Sequence, residues 1–191
     1  MKPDEPCFPM MGALKAIEQL LAQTNSQGII IGGIAVSLLG RARFTEDIDA
    51  IIFTDEERLP EFLEIAEKHS LIPRINNVVE FASRTRVLLL RYAPDMLNVD
   101  ISLGALPFEK EAIERSQLVK SGGVSFRIPT PEDLVIMKAL ARRPKDYEDI
   151  RGIVSLHPDM DKKRIEHWVR QFASTLEMPE IWKDLKDILE N

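Results

Sequence analysis

Apolar Met11, Leu14, Ile17, Leu20 and Leu21 recur at helical spacing and predict a first helix over 10–24. The pattern then changes period. An apolar run at 28–31 reads as a strand, a short apolar stretch at 33–39 as a helix closed by Gly40, and 47–53 as a buried strand. Thr54 is placed to cap a helix that opens on Asp55, Glu56 and Glu57 and runs to His69. Strands are predicted near 78–82, 87–92 and 97–102, the last two joined by a turn at Pro94-Asp95. A short helix at 109–117 precedes a Gly122-Gly123 turn and a strand at 124–128.

Beyond Ile128 the period is helical throughout. Thr130 as N-cap, Pro131 at the first position and Asp133 at the third open a helix that ends near Arg142, and Pro144 interrupts the pattern. Further helices are predicted over 145–156, 161–176 and 179–189. The stripe Ile165, Trp168, Val169, Phe172 and Leu176 reads as core rather than as a ligand box.

Chemistry concentrates in GGIAVSLLGRARFTEDIDAII, residues 32–52. Side chains alternate along a strand, so Asp47 and Asp49 project from one face, with Cα atoms roughly 6–7 Å apart. Two like charges at the end of an apolar strand call for a cation between them, and Mg²⁺ (or Mn²⁺) suits hard carboxylate oxygens. Gly32-Gly33 permits a tight strand-to-helix turn and a close backbone approach to phosphate at a helix N-terminus, although a Gly-Gly pair alone fits a structural turn better.

The segment resembles the signature of the nucleotidyltransferase superfamily, the polymerase-beta-like fold: Gly-Gly, a helix of this length, then Asp-x-Asp on the next strand. The variant GGIAVSLLGRARFTEDID is most similar to the AbiEii-like toxin group and its bacterial relatives, in which Arg-x-Thr precedes the Asp pair as Arg43 and Thr45 do here. A second stretch, PTPEDLVIMKALARRPKDYEDI at 129–150, resembles the helical segment of these relatives that carries a Lys and then a Lys-Asp-x-x-Asp element. The resemblance implies an α+β fold, a nucleotidyltransferase-like mixed β-sheet flanked by helices, with a C-terminal helical segment. It implies a catalytic core over 1–128 and a helical region over 129–191 packed on it.

The superfamily pattern also asks for a third carboxylate on a neighbouring strand. Asp100 is the candidate, flanked by Val99 and Ile101 on the opposite face; alone it would read as an edge carboxylate facing water. The resemblance thus implies Asp47, Asp49 and Asp100 as metal ligands and catalytic groups, Asp100 as ligand or general base. Gly32, Gly33, Ser37, Arg43, Thr45, Lys138 and Lys145 become candidates for holding the nucleotide. Ser37 in an apolar helix also fits packing, and Lys138 on a helix boundary also fits a snorkelling lysine. Asp146 and Asp149, three apart on one helical face, are placed to orient Lys138 or Lys145.

Composition narrows the partners. The 191 residues carry net charge −6, 45% apolar and 29% charged residues, ordinary for a globular chain and without the basic footprint of a general nucleic-acid binder. A local patch from Arg41, Arg43, Arg84, Arg86 and Arg91 is still open. The single cysteine, Cys7, sits among Pro3, Pro6 and Pro9 in a predicted extended arm and excludes an internal disulfide. Neither a secretory leader nor an apolar run near the ~18 residues of a membrane span is evident, so a cytoplasmic location is expected.

The sequence therefore predicts a Mg²⁺-dependent enzyme that transfers NMP from an NTP (ATP among the candidates) to a hydroxyl of RNA such as tRNA, of a protein or of a small molecule. By resemblance it is a toxin-like component with a cognate antitoxin, or a stand-alone modifier. The alternatives are a catalytically weak nucleotide-binding or antitoxin module of the same fold, and a structural α/β protein.

Overall fold

The computed structural model describes residues 10–190. The chain divides into two compact units. One runs through Ile34 and resumes over Phe44–Ile128; the other holds Ala35–Arg43 and the chain from Pro129 onward. Cys7 and the expected N-terminal arm lie outside the described residues.

The first unit is an α/β layer. Its strands β1 (Gln27–Ile30), β2 (Asp47–Phe53), β3 (Leu71–Pro73), β4 (Val87–Tyr92) and β5 (Leu97–Leu103) form one mixed sheet in the order β1-β2-β5-β4-β3. Only β2 and β5 run parallel; the other neighbours are antiparallel. One face carries Ile48, Ala50, Ile52, Leu88, Leu90, Val99 and Ile101, all fully buried. These residues make the core with Leu14, Ile17 and Leu20 of α1 (Met11–Thr24) and Leu59 and Phe62 of α3 (Leu59–Lys68). The alternate positions, Asp47 and Asp49 on β2 and Asn98, Asp100 and Ser102 on β5, are half-buried. The sheet thus has an apolar inner face and a polar outer one at its centre, as strand alternation requires. The pairing of β4 with β5 through residues 93–96 is as the sequence predicts.

Four local expectations are corrected. The helix over 55–69 is instead a 3₁₀ turn at Glu56–Arg58 followed by α3, and no side chain caps it. Pro60 explains the break: inside one continuous helix its ring would clash with the carbonyl of residue 56, so it falls in the first turn of α3, where proline is tolerated. The expected strand near 78–82 is α4 (Val78–Thr85), with Val78 and Ala82 buried one turn apart. The β-branched pair Val78-Val79 suggests a strand, but the burial spacing follows the helix. The helix expected over 109–117 is α5 (Pro107–Glu114); Gln117–Ser121 is strand β6. It pairs with β7 (Val124–Ile128) across Gly122-Gly123, both left-handed at φ 53° and 80°, the geometry of a tight two-residue hairpin. Last, Pro144 starts a helix rather than merely ending one.

The second unit is helical. It holds α6 (Pro131–Ala141), α7 (Pro144–Leu156), α8 (Lys162–Thr175) and α9 (Glu180–Glu190), together with the later part of α2 (Gly32–Leu39). Thr130 caps α6 by accepting from the Asp133 N–H at 3.3 Å, and Asp161 caps α8 through the Lys163 and Arg164 N–H groups. The predicted stripe on α8 buries Ile165, Trp168 and Val169, whereas Leu176 is exposed. Gly40 closes α2 through its N–H to Val36 O at 2.7 Å, without a left-handed φ. Its missing side chain instead accommodates Ile153, whose Cγ1 would lie 3.1 Å from a Cβ there. No helix among the described residues is long and apolar enough to cross a membrane.

Candidate active site

The outer face of β2 and β5 is built by register. Asp47 is paired with Asn98 and Asp49 with Asp100 in the parallel ladder, so Asp49 and Asp100 project side by side on neighbouring strands about 4.8 Å apart. Beside them β1 ends and α2 begins. Ile31 N–H donates to Asp49 O at 2.8 Å and closes the turn. Gly32 follows with φ +62°, and a Cβ on it would overlap Asp49 Oδ2. Only glycine lets the chain turn here while the Asp49 carboxylate lies against the backbone. A Cβ on Gly33 would lie 2.5 Å from Thr45 Oγ1. Thr45 in turn donates to Asp47 Oδ1 at 3.1 Å, which orients the first carboxylate. Gly32, Gly33, Thr45, Asp47, Asp49 and Asp100 are therefore brought together in the first unit.

Asp100 has a partner that no sequence motif marks. Arg74, on the segment after β3, makes an ion pair with Asp100 Oδ1. Its backbone N–H bonds Leu89 O at 2.9 Å, extending the β3–β4 pairing and setting the arginine beside β5. Burial raises the Asp100 pKa above the usual carboxylate value; Arg74 opposes the rise and the neighbouring charge of Asp47 adds to it. Although register brings the carboxylates near, no three His, Cys, Asp or Glu side chains among the described residues converge closely enough to hold a metal ion. The donor chemistry still suits one: Asp47 and Asp49 carry hard oxygens on one face, with the Asp49 carboxylate lying against the Gly32 backbone. The fit is a two-carboxylate one, with Asp100 engaged by Arg74.

The remaining candidates belong to the helical unit. The Ser37 hydroxyl donates to Arg43 O at 3.0 Å and accepts from the Arg43 N–H, so it fastens the loop that follows α2. Arg43 makes a two-pronged contact with Asp149, Nε to Oδ1 at 3.2 Å and Nη2 to Oδ2 at 3.4 Å. Lys138 is 4% exposed, and its ammonium lies 2.8 Å from Asp146 Oδ1 and 2.9 Å from Asp149 Oδ2. Arg143 completes the cluster through Nε to Asp146 Oδ2 at 2.7 Å. Burial works to raise the Asp146 pKa, but hydrogen bonds from Arg143 and Lys138 and the Lys138 charge outweigh it and hold the carboxyl below its ordinary value. Asp146 and Asp149 thus orient Lys138, and Lys138 neither snorkels nor presents its ammonium to solvent. Its placement suits a buried ion-pair cluster rather than a phosphate contact. Lys145, by contrast, is exposed.

One broader expectation also changes. Of the arginines expected to form a local patch, Arg84 and Arg86 pair with Glu80 and Glu56, whereas Arg91 bonds the neutral Asn98. A cavity of about 640 Å³ lined by Ile17, Leu21, Ile29, Ala50, Ile52 and Phe126 opens on the first unit. Ala50 and Ile52 alternate with the two aspartates, so this cavity is on the other face of β2.

A family model described as "Nucleotidyltransferase of unknown function (DUF6036)" matches residues 10–183. No curated protein matches the sequence. Among solved structures, an antigenic nucleotidyltransferase-like protein from Paracoccidioides brasiliensis shares the fold at TM-score 0.57 and 18% identity, over 95% of this chain and 93% of that one. The antibiotic-resistance factor ANT(2'')-Ia is similar at TM-score 0.56 and 18% identity, over 89% and 96%. The lincosamide antibiotic adenylyltransferase LnuA, lincomycin-bound, is similar at TM-score 0.50 and 12% identity, over 73% and 93%. The closeness to the AbiEii-like group specifically is not among these likenesses.

Proposed function

The chain belongs to the nucleotidyltransferase family that its residues 10–183 match, and we propose that it transfers a nucleoside monophosphate from an NTP to a hydroxyl acceptor, with Mg²⁺ or Mn²⁺ held by Asp47 and Asp49. The observation that carries this reading is the Asp47/Asp49 pair on one face of β2, with Asp49 lying against the Gly32 turn. A divalent ion bound there supplies charge neutralisation for the triphosphate.

The protein's own groups do the rest. Thr45 holds the Asp47 carboxylate in orientation. The Gly32-Gly33 turn lets phosphate oxygens approach the backbone closely at the start of α2. Lys145, exposed at the start of α7, is the lysine we assign to an outer phosphate, as a point charge. Asp100, side by side with Asp49, serves as a third ligand once free of Arg74 and takes the proton of the acceptor hydroxyl as its oxygen attacks the α-phosphorus; pyrophosphate leaves with the electron pair of the broken P–O bond. Ser37, Arg43 and Lys138 act as structural supports.

The acceptor is RNA, a protein hydroxyl or a small molecule. The lincosamide adenylyltransferase among the fold neighbours supports a small molecule. The resemblance of GGIAVSLLGRARFTEDID to AbiEii-like toxins supports a toxin-like role with a cognate antitoxin. One observation favours the alternative of a nucleotide-binding module with weak turnover: Asp100 is already neutralised by Arg74.

Incubation with each α-labelled NTP, Mn²⁺, and total RNA, protein extract or a hydroxylated small-molecule pool tests the reading. Label transferred by the wild type and absent with Asp47→Asn supports it. Nucleotide bound but never transferred favours the module.

A further inference from the structure

Asp100 and Asp49 are register partners, yet the three acidic side chains of this face do not converge, and the one on β5 is bound to an arginine. The arginine is built into the fold. Its N–H is tied to Leu89 O, its side chain is 17% exposed, and its Nε is buried without a hydrogen-bond partner. A guanidinium with an unspent buried donor beside a carboxylate face is chemically matched to phosphate oxygens, which accept two of its N–H groups at once.

We propose that Arg74 is an exchangeable counter-cation: with the site empty it holds Asp100 out of the metal nest, and a bound triphosphate draws the guanidinium onto its oxygens and releases Asp100 to the divalent ion. This rests on the nucleotidyltransferase reading and adds its regulation. The exchange preserves charge pairing at each stage. Before it, Arg74 balances Asp100; after it, the ion balances the carboxylates and Arg74 balances phosphate. Metal and triphosphate consequently bind with positive coupling, since each removes the partner that restrains the other. Metal alone binds weakly, because it must compete with a charged hydrogen bond for the third ligand. An enzyme so arranged stays metal-poor until its nucleotide arrives.

The test is Mn²⁺ calorimetry on the whole protein, with and without tripolyphosphate, which carries the phosphates but no base. In the wild type, saturating tripolyphosphate tightens Mn²⁺ binding. In Arg74→Met, which keeps the buried stem, Mn²⁺ alone binds about tenfold tighter than to the wild type, the size of a lost charge-assisted competitor. In the same variant the effect of tripolyphosphate shrinks toward that of direct metal–phosphate contact. Arg74→Lys keeps the charge but loses the planar fork, and gives intermediate values. Equal Mn²⁺ affinity in wild type and Arg74→Met, with binding lost in Asp49→Asn, overturns the exchange and leaves the metal site standing. No Mn²⁺ binding to any of these proteins, with or without tripolyphosphate, overturns the underlying reading and the exchange with it.

Discussion

The Asp49 carboxylate occupies the space that a side chain on Gly32 would need. The turn between β1 and α2 and the acid on β2 are therefore one unit: the glycine is required by its φ of +62° and again by its neighbour. Gly32→Ala adds both a left-handed strain and a collision. The expected loss is roughly 1–2 kcal/mol of stability from the backbone alone, with Asp49 displaced. Urea denaturation measures the first effect. Mn²⁺ affinity, falling further than that of a Gly123→Ala control at an open hairpin, measures the second.

The two lysines separate cleanly. Lys138→Ala leaves two buried carboxylates short of a cation and is expected to cost about 3–5 kcal/mol, a large share of the stability of a typical domain. Lys145→Ala removes an exposed side chain and is expected to change stability by no more than about 0.5 kcal/mol, while weakening NTP binding. Thermal denaturation and nucleotide titration of both variants check the contrast.

Strong acid dismantles the Lys138 cluster. Asp146 has a folded pKa below its ordinary value of 3.8, so its contribution to stability is full above that value and fades as pH falls through the lowered one. Below it Arg143 and Lys138 face an uncharged group. Urea midpoints measured from pH 6 downward are expected to hold nearly level and then drop below about pH 4, with a shallower drop in Asp146→Asn.

Asp100 senses the charge of Asp47. The Asp47 charge contributes to the raised pKa of Asp100, behind burial and against Arg74. Asp47→Asn is expected to lower the pH at which Asp100 titrates, read from its side-chain carboxyl carbon by NMR. An unchanged titration would mean that the two acids do not interact.

Much of this arrangement is legible in the chain. Asp47–Phe53, Val87–Tyr92 and Val124–Ile128 are strands with the bounds the sequence predicts, because alternation or a continuous apolar run marks them, and Gly122-Gly123 and Pro129 delimit the last. The outer-face position of Asp100 is legible because Val99 and Ile101 take the buried face, while its candidacy rests on the resemblance. What escapes has physical reasons. β3 is three residues long and ends on Pro73, too short for a period. β6 exposes Leu118 and buries none of its residues fully, so no inward face announces it. Arg74 lies in no motif; only the pairing of β3 with β4, a contact between segments far apart in sequence, carries it to Asp100. Lys138 admits two readings in the sequence, and the fold decides between them by setting Asp146 and Asp149 on its ammonium.

The most direct measurement is calorimetric titration of each of the four NTPs with Mn²⁺ into the wild type and into Asp47→Asn/Asp49→Asn. The account predicts metal-dependent binding of at least one NTP to the wild type, and its loss in the double variant, which keeps the wild-type circular dichroism. Equal NTP and Mn²⁺ affinity in a folded double variant would contradict it.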